Sequence, residues 1–226
     1  MPRVVAVNRS QSMGRSAVSP TANSRINLVA NPSFESSGTW GSGVAGSHSN
    51  SSITFPSSDM SLFGASSCKV VQGDGSNGHV YPVVANIPVM PGATYTASCY
   101  VYMPQSLYAQ GGTYITIDDN GFNSIKSGSG SPVSATNQWV RMSVTFTIPG
   151  NGTKDGSNKI QIILDTASSP SPLYTAYYDG VLLEKSNSAD VYFDGSNIGA
   201  VWNGAANSST STLARARVPV ALRNLV

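Results

Sequence analysis

Apolar and polar residues alternate along two long segments of the chain. In residues 94–103 the apolar side chains fall on odd positions, and in residues 139–148 they fall on even positions. A period of two that is kept over ten residues predicts a strand with one buried face. The buried faces should contain Tyr95, Ala97, Cys99, Val101 and Met103 in the first strand, and Val140, Met142, Val144, Phe146 and Ile148 in the second.

Shorter segments with strand character lie between turns that are rich in Gly, Ser, Asn and Pro. Asp118-Asp119-Asn120-Gly121 predicts a hairpin turn. No segment has convincing helical periodicity. Eight or nine strands without a helix predict an all-β fold, a two-sheet antiparallel β-sandwich of the jelly-roll type. The shorter predicted strands are residues 27–29, 53–55, 66–71, 80–84, 113–118, 159–164 and 175–184.

The composition agrees with this fold class. Only 11% of the 226 residues are charged, against about a quarter in a typical globular protein, which excludes a coiled coil or a helical bundle. The apolar runs are too short to cross a membrane, and the first residues lack the apolar stretch of a secretory signal. Cys68 and Cys99 could form one disulfide. Without a secretory signal, two buried free thiols are the favoured interpretation.

Charge is distributed unevenly along the chain. Residues 1–25 carry four arginines and residues 213–226 carry three, with no acidic residue in either segment, whereas the part between them has a net charge of −5. We therefore divide the chain into a basic N-terminal arm (1–24), a sandwich (25–185), a Gly/Asn/Ser-rich extension (186–212) and a basic C-terminal arm (213–226). Both arms are expected to be extended and to anchor the protein in an assembly through Arg3, Arg9, Arg15, Arg215, Arg217 and Arg223.

Such arms bind nucleic acid, an acidic neighbour or another copy of the same body. Nucleic acid is the weaker interpretation, because the basic residues are sparse and no aromatic residues are interleaved with a Lys/Arg run. Other proteins of an assembly, including further copies of this chain, are the favoured partners.

Four segments resemble, in order, the strands of family 4/9-type carbohydrate-binding modules, which have a galactose-binding-like jelly roll. Asn-Leu-Val-Ala-Asn-Pro-Ser-Phe-Glu (27–35) is similar to the opening strand and Tyr-Thr-Ala-Ser (95–98) to the central one. Residues 139–147 resemble the late strand that follows a Trp, and residues 177–184 resemble the closing strand. Tyr-Phe-Asp-Gly (192–195), with residues 202–204 and 207–211, is similar to the tail of such modules in minor tail proteins of phages infecting actinobacteria.

The resemblance implies a non-enzymatic phage virion structural protein, a minor tail protein. It would be made in the host cytoplasm, displayed on the virion, and able to touch host glycans. One alternative is a capsid decoration protein with the same fold, anchored to the capsid lattice by its arms. Another is the sugar-binding accessory module of a secreted glycoside hydrolase. No catalytic motif is recognisable, and we assign no catalytic residue.

The resemblance also implies a structural calcium ion. Glu35, after the opening Asn-Pro-Ser-Phe, and Asp179, on the closing strand, would be two of its ligands. The sequence departs from many relatives at Gly180, where they have another Asp. The alternative is that Glu35 binds the amides of a turn and that Asp179 is solvated.

Strand parity predicts a sugar platform on the outward face of the sheet. Planar aromatic rings beside polar groups can stack on a pyranose and bind its hydroxyls. A protein interface is the alternative, since Tyr is also enriched there. A further loop-borne contact is Trp40, which lies in a Gly/Ser-rich segment. The platform residues are Tyr100 and Tyr102 on one strand, Tyr114, Thr116 and Asp118 on a second, and Arg141 on a third.

Overall fold

The computed structural model describes residues 24–46, 50–73, 79–104, 113–126, 137–166 and 174–214. These ranges contain thirteen strands, and the part of the chain they cover has no helix, so no helix there could cross a membrane. The predicted anchors Arg3, Arg9, Arg15, Arg215, Arg217 and Arg223 lie outside the described residues. The strands are β1 (Arg25–Asn27), β2 (Gly41–Ala45), β3 (Ser52–Ser57), β4 (Ser67–Gln72), β5 (His79–Pro88), β6 (Thr94–Tyr102), β7 (Thr113–Asp119), β8 (Ser124–Lys126), β9 (Trp139–Thr147), β10 (Lys159–Thr166), β11 (Tyr174–Glu184), β12 (Ala200–Trp202) and β13 (Ser211–Leu213).

Two five-stranded antiparallel sheets form a sandwich, which confirms the predicted fold class. Sheet I has the strand order β2-β5-β10-β7-β8, and sheet II has the order β3-β4-β11-β6-β9. Their inner faces carry the apolar residues of each alternating pattern, among them Ile117 and Ile162 from sheet I and Val101 and Val144 from sheet II, all buried. Each such side chain stabilises the fold by about 1.5–3 kcal/mol.

The cysteines follow the favoured interpretation. Cys68 on β4 and Cys99 on β6 are both free and fully buried. Burial raises the pKa of each thiol well above its ordinary value. Both thiols therefore stay protonated near neutral pH and act as small apolar core groups.

Strand β2 has no alternation in its sequence, Gly-Ser-Gly-Val-Ala, and was not predicted. It forms because it pairs along its whole length with β5. Gly43 lies opposite Tyr81, and a Cβ on Gly43 would come within 2.0 Å of the Tyr81 ring. The ring lies flat across the backbone of β2, and only glycine leaves room for it.

A third sheet joins the extension to the start of the sandwich. Sheet III has the order β1-β13-β12, so the extension returns to pair with the opening strand. Asn27 fixes this junction. Its Nδ2 donates to Val181 O at 3.0 Å and to Phe193 O at 3.3 Å, and its Oδ1 accepts from Val29 N and Leu183 N. One buried amide thus ties β1, β11 and the extension together.

Candidate glycan-binding face

The predicted platform residues lie on two different sheets. Tyr100, Tyr102 and Arg141 belong to β6 and β9 of sheet II, whereas Tyr114 and Asp118 belong to β7 of sheet I. Both sets face outward, but on opposite sides of the sandwich. The prediction of one shared face is therefore wrong, because parity assigns a side chain to a face of its own strand and not to a sheet.

On sheet II the extension covers the outward side chains of β6. Tyr100 packs against Phe63 at a ring distance of 5.4 Å, and Phe63 packs against Tyr192 of the extension at 4.2 Å. The Arg141 guanidinium lies 5.5 Å from the Tyr100 ring centre, and it donates to Ser98 Oγ and to the carbonyl of Asp190. Tyr100 and Arg141 thus hold the extension in place and leave little surface for a sugar.

Tyr102 lies farther along the same strand. Its ring is 5.6 Å from that of Trp139 and 6.3 Å from that of Tyr177, so it belongs to an aromatic group at the end of β6 in which Tyr177 is buried and the other two rings are half-buried. A glycan contact at Tyr102 stays a prediction.

Trp40 is not the exposed loop residue that its Gly/Ser-rich surroundings predicted. Its ring is buried 4.6 Å from Phe34, and its Nε1 donates to Asn31 O at 3.0 Å. With the ring in the core and its only donor satisfied, Trp40 cannot contact a sugar unless the opening turn unfolds.

The outward face of sheet I brings together a different set of polar residues. Strands β7 and β10 are neighbours, and their register places Asp118 opposite Gln161 and Tyr114 opposite Asp165. Tyr81 extends this face on β5, the strand beside β10. Gln161 and Tyr81 were not predicted as site residues. The alternation of residues 159–164 could have indicated Gln161, because it is the polar residue between Ile160 and Ile162.

Two polar atoms on this face lack a hydrogen-bond partner among the described residues. Asp118 is 9% exposed and Gln161 is 3% exposed, yet within the described part of the chain Asp118 Oδ1 and Gln161 Nε2 have no hydrogen bond. Leaving such a buried group unpaired costs about 1–3 kcal/mol. An acceptor and a donor on paired residues are the complement of one sugar hydroxyl, which can donate to the first and accept from the second.

The pKa values of three titratable side chains on this face are raised. Burial raises the pKa of Tyr114 to about 12, assisted by the Asp165 carboxylate that accepts its hydrogen bond. Burial also raises the pKa of Tyr81, with further contributions from Asp165 and Asp118. Both phenols therefore remain donors near neutral pH. The pKa of Asp118 is raised by burial and by the carboxylates of Asp119 and Asp165.

The turn after β7 supports this face and confirms the predicted hairpin. Asp119 Oδ1 accepts from Gly121 N at 2.9 Å and from Asn123 N at 2.8 Å, and its Oδ2 accepts from Asp155 N at 2.9 Å. Burial alone would raise the pKa of Asp119, but these hydrogen bonds outweigh it and lower the pKa. The carboxylate is thus committed to the turn and fixes the end of β7 beside β10.

Comparison with known families identifies the fold's relatives. The model of a carbohydrate-binding domain family, CBM 4/9, matches residues 26–168. The chain belongs to this family. The matched part of the carbohydrate-binding domain includes all of sheet I, while β11 and the extension follow it. No curated protein sequence matches the chain.

Solved structures share the fold at low identity. The enzymatically active domain of tailspike protein 4 from bacteriophage CBA120 is 15% identical, with a TM-score of 0.50; the match covers 70% of this chain but only 21% of the tailspike chain. A family 4 carbohydrate-binding module is 18% identical over 69% of this chain and 98% of its own, also with a TM-score of 0.50. The CBM22-1 xylan-binding domain of Paenibacillus barcinonensis Xyn10C is 16% identical over 73% of this chain and 96% of its own, with a TM-score of 0.49.

Glu35 and Asp179 both bind the loop of residues 62–66. Asp179 is fully buried; its Oδ2 accepts from Leu62 N at 2.7 Å and Phe63 N at 2.9 Å, and its Oδ1 accepts from Gly180 N at 2.7 Å. Glu35 Oε1 accepts from the next two amides of the loop, Ala65 N at 2.9 Å and Ser66 N at 3.0 Å.

This arrangement fits backbone amides better than a cation. Three of the four carboxylate oxygens already face N–H groups, whose dipoles would repel calcium. Among the described residues, no group of three His, Cys, Asp or Glu side chains is placed to hold a metal ion. Burial raises the pKa of Asp179 to about 7, against the lowering effect of its amide donors. The geometry favours the amide alternative for Glu35, and calcium binding stays a prediction.

Proposed function

We propose that the carbohydrate-binding domain binds a glycan chain along the outward face of sheet I. The observation that carries this proposal is the unpaired Asp118 Oδ1 next to the unpaired Gln161 Nε2, both buried on paired strands. Without a ligand on this face, the acceptor Asp118 Oδ1 and the donor Gln161 Nε2 would each remain without a hydrogen bond, which is rare for buried polar atoms.

Each residue of the face has a role in such a complex. The rings of Tyr81 and Tyr114 pack against the apolar faces of pyranose units, and the Tyr114 phenol, whose hydrogen is donated to Asp165, accepts from a sugar hydroxyl. Asp118 accepts from a sugar hydroxyl, and Gln161 donates to the same one or its neighbour. Binding is non-covalent, and the residues of this face are assigned to recognition alone.

A glycan array and a pulldown on bacterial cell walls with the full chain test this proposal. We expect retention on a defined glycan, and we expect Gln161→Ala and Asp118→Ala to abolish it while the protein stays folded. Tyr102→Ala, on the opposite side of the sandwich, is the matched control and should bind normally. Loss with Tyr102→Ala but not with Gln161→Ala would transfer the site to sheet II.

For the whole protein we propose a structural role in a phage virion, as a minor tail protein that displays this domain. The support is the similarity of residues 192–195, 202–204 and 207–211 to the tails of such modules in phage minor tail proteins. The basic flanking segments, with Arg3, Arg9, Arg15, Arg215, Arg217 and Arg223, would anchor it to other virion proteins. A capsid decoration protein is the nearest alternative.

Immunogold labelling of purified particles tests this assignment. Label at the tail would support the minor tail protein, and label over the capsid would support the decoration protein. Purified particles without label or peptide would overturn both, and would favour an accessory module of a glycoside hydrolase.

A further inference from the structure

The two basic flanking segments attach to the domain at one place. Arg25, which begins β1, is the direct register partner of Leu213, which ends β13. Residues 1–23 and 215–226 each carry three arginines and no acidic residue. Six positively charged residues are therefore attached at one end of sheet III.

The outward side of sheet III exposes two apolar side chains, Ile26 and Val201, on either side of the half-buried Thr212. Ile26, Thr212 and Val201 form one row across its three strands. The inward neighbours Leu213 and Ala200 pack against the aromatic cluster of the extension, but Ile26 and Val201 face away from it and are exposed. Ile198, in the turn before β12, is also exposed. An apolar row beside a concentration of charge is typical of a protein interaction surface.

A cavity of about 690 Å³ adjoins this row and shares Ile26 with it. Its lining residues include Met90 and Tyr95, the acidic Glu184 and Asp190, and the basic Arg25 and Lys185. Arg25 binds Glu184 in a bidentate manner at 2.8 and 2.6 Å, whereas it is 3.4 Å from Asp190, whose side chain is half exposed. An apolar wall with an accessible carboxylate suits the stem and guanidinium of a second arginine.

The charge balance indicates which partner supplies that arginine. Residues 24–214 carry seven basic and eleven acidic residues, while the flanking segments carry six basic residues and no acidic one. The segments of one chain are therefore complementary to the body of another. We propose that the outward face of sheet III and its cavity dock a second copy of this chain, with flanking arginines of each copy binding acidic groups of the other, Asp190 among them.

The flanking segments must supply much of this interface. A specific interface buries about 800 Å² on each partner, and the exposed side chains of Ile26, Val201 and Ile198 cover only part of that. Association should therefore depend on both the apolar row and the arginines. It does not depend on the glycan face, which lies on sheet I.

Sedimentation velocity of the full chain tests this proposal, at about 0.01 M and about 1 M salt. We expect a species of at least two copies at low salt that dissociates at high salt. Val201→Asp should yield a monomer, while Val44→Asp on β2 should not, although both valines are 59% exposed. Replacing the six flanking arginines with Gln should also yield a monomer, and replacing Lys126, Lys154 and Lys159 with Gln should not.

A wild-type chain that is monomeric across the micromolar range at low salt would overturn the proposal, and so would association that survives the replacement of all six arginines. If Val201→Asp lowers the far-UV circular dichroism signal, the arginine series alone decides, because none of those residues lies in a described strand. Glycan retention measured on the same variants keeps this test separate from that of the glycan face.

Discussion

The outward faces of sheets I and II differ in what completes them. On sheet II, Tyr192 and Phe193 of the extension cover β6 and β11, and Thr96 Oγ1 of β6 donates to Ser186 O. On sheet I, Asp118 and Gln161 are equally buried but keep an unpaired acceptor and an unpaired donor. Among the described residues sheet II also keeps two unpaired atoms, Arg141 Nε and Ser67 Oγ, but these lie on strands that are not neighbours, whereas Asp118 and Gln161 are register partners. An unpaired donor and an unpaired acceptor on register partners, and not the number of tyrosines, therefore distinguish the outward face of sheet I.

The largest expected effect is a loss of stability when a residue of the extension that packs on sheet II is truncated. Phe193 is buried in the aromatic cluster, with the Arg25 guanidinium 4.7 Å from its ring centre. Phe193→Ala should lower the free energy of unfolding by about 3–5 kcal/mol, measured by urea denaturation. Phe122→Ala is the control, because Phe122 is largely exposed. Equal effects of the two changes would show that the extension is not part of the cooperative fold.

The next effect is a pH dependence that Asp179 confers. Its pKa of about 7 in the folded state lies above its ordinary value of 3.8. Folding therefore favours the protonated form, and the contribution of Asp179 to stability is complete below about pH 4 and is lost as pH rises through 7. The loss is at most about 4 kcal/mol. Relative to Asp179→Asn, the wild type should lose free energy of unfolding between pH 4 and pH 7. The opposite slope would indicate a bound cation that lowers this pKa.

A smaller effect should distinguish the two faces through stability alone. Gln161→Leu removes an unpaired buried amide and should raise the free energy of unfolding by about 1 kcal/mol, while it abolishes glycan retention. Gln72 is the matched control: it is also buried, but its Oε1 accepts from Val80 N at 3.0 Å. Gln72→Leu should destabilise the domain by about 1–3 kcal/mol. If Gln161→Leu destabilised it as much, Gln161 would have a partner within the chain and the binding-face argument would fail.

The features that depend on local alternation of apolar and polar residues could be predicted from the sequence. The inward residues of β6 and β9 are those that parity indicated, and the turn at Asp119 was recognisable from its composition. The assignment of strands to sheets is a long-range property, so Tyr100 and Tyr114 could not be separated from the pattern alone. Strand β2 owes its structure to β5, and Trp40 is buried by Phe34, so neither was visible in its own segment. The extension formed strands because β1 offered it an edge.

The smallest expected effects are those of EDTA and of Glu35→Gln, and both bear on calcium. If backbone amides are the partners of Glu35 and Asp179, EDTA should leave the melting temperature unchanged. Glu35→Gln should then cost little, because Glu35 Oε1 alone accepts from Ala65 N and Ser66 N and the Gln carbonyl can accept the same two bonds. Glu35→Ala, which leaves both amides without that acceptor, should cost about 1–3 kcal/mol. A calcium site removes this difference, because a neutral amide is a much poorer ligand than a carboxylate and Glu35→Gln would then cost nearly as much as Glu35→Ala. Lower melting temperatures with EDTA and with Glu35→Gln alike would therefore establish the cation and would require the 62–66 loop to bind it in place of the amide contacts.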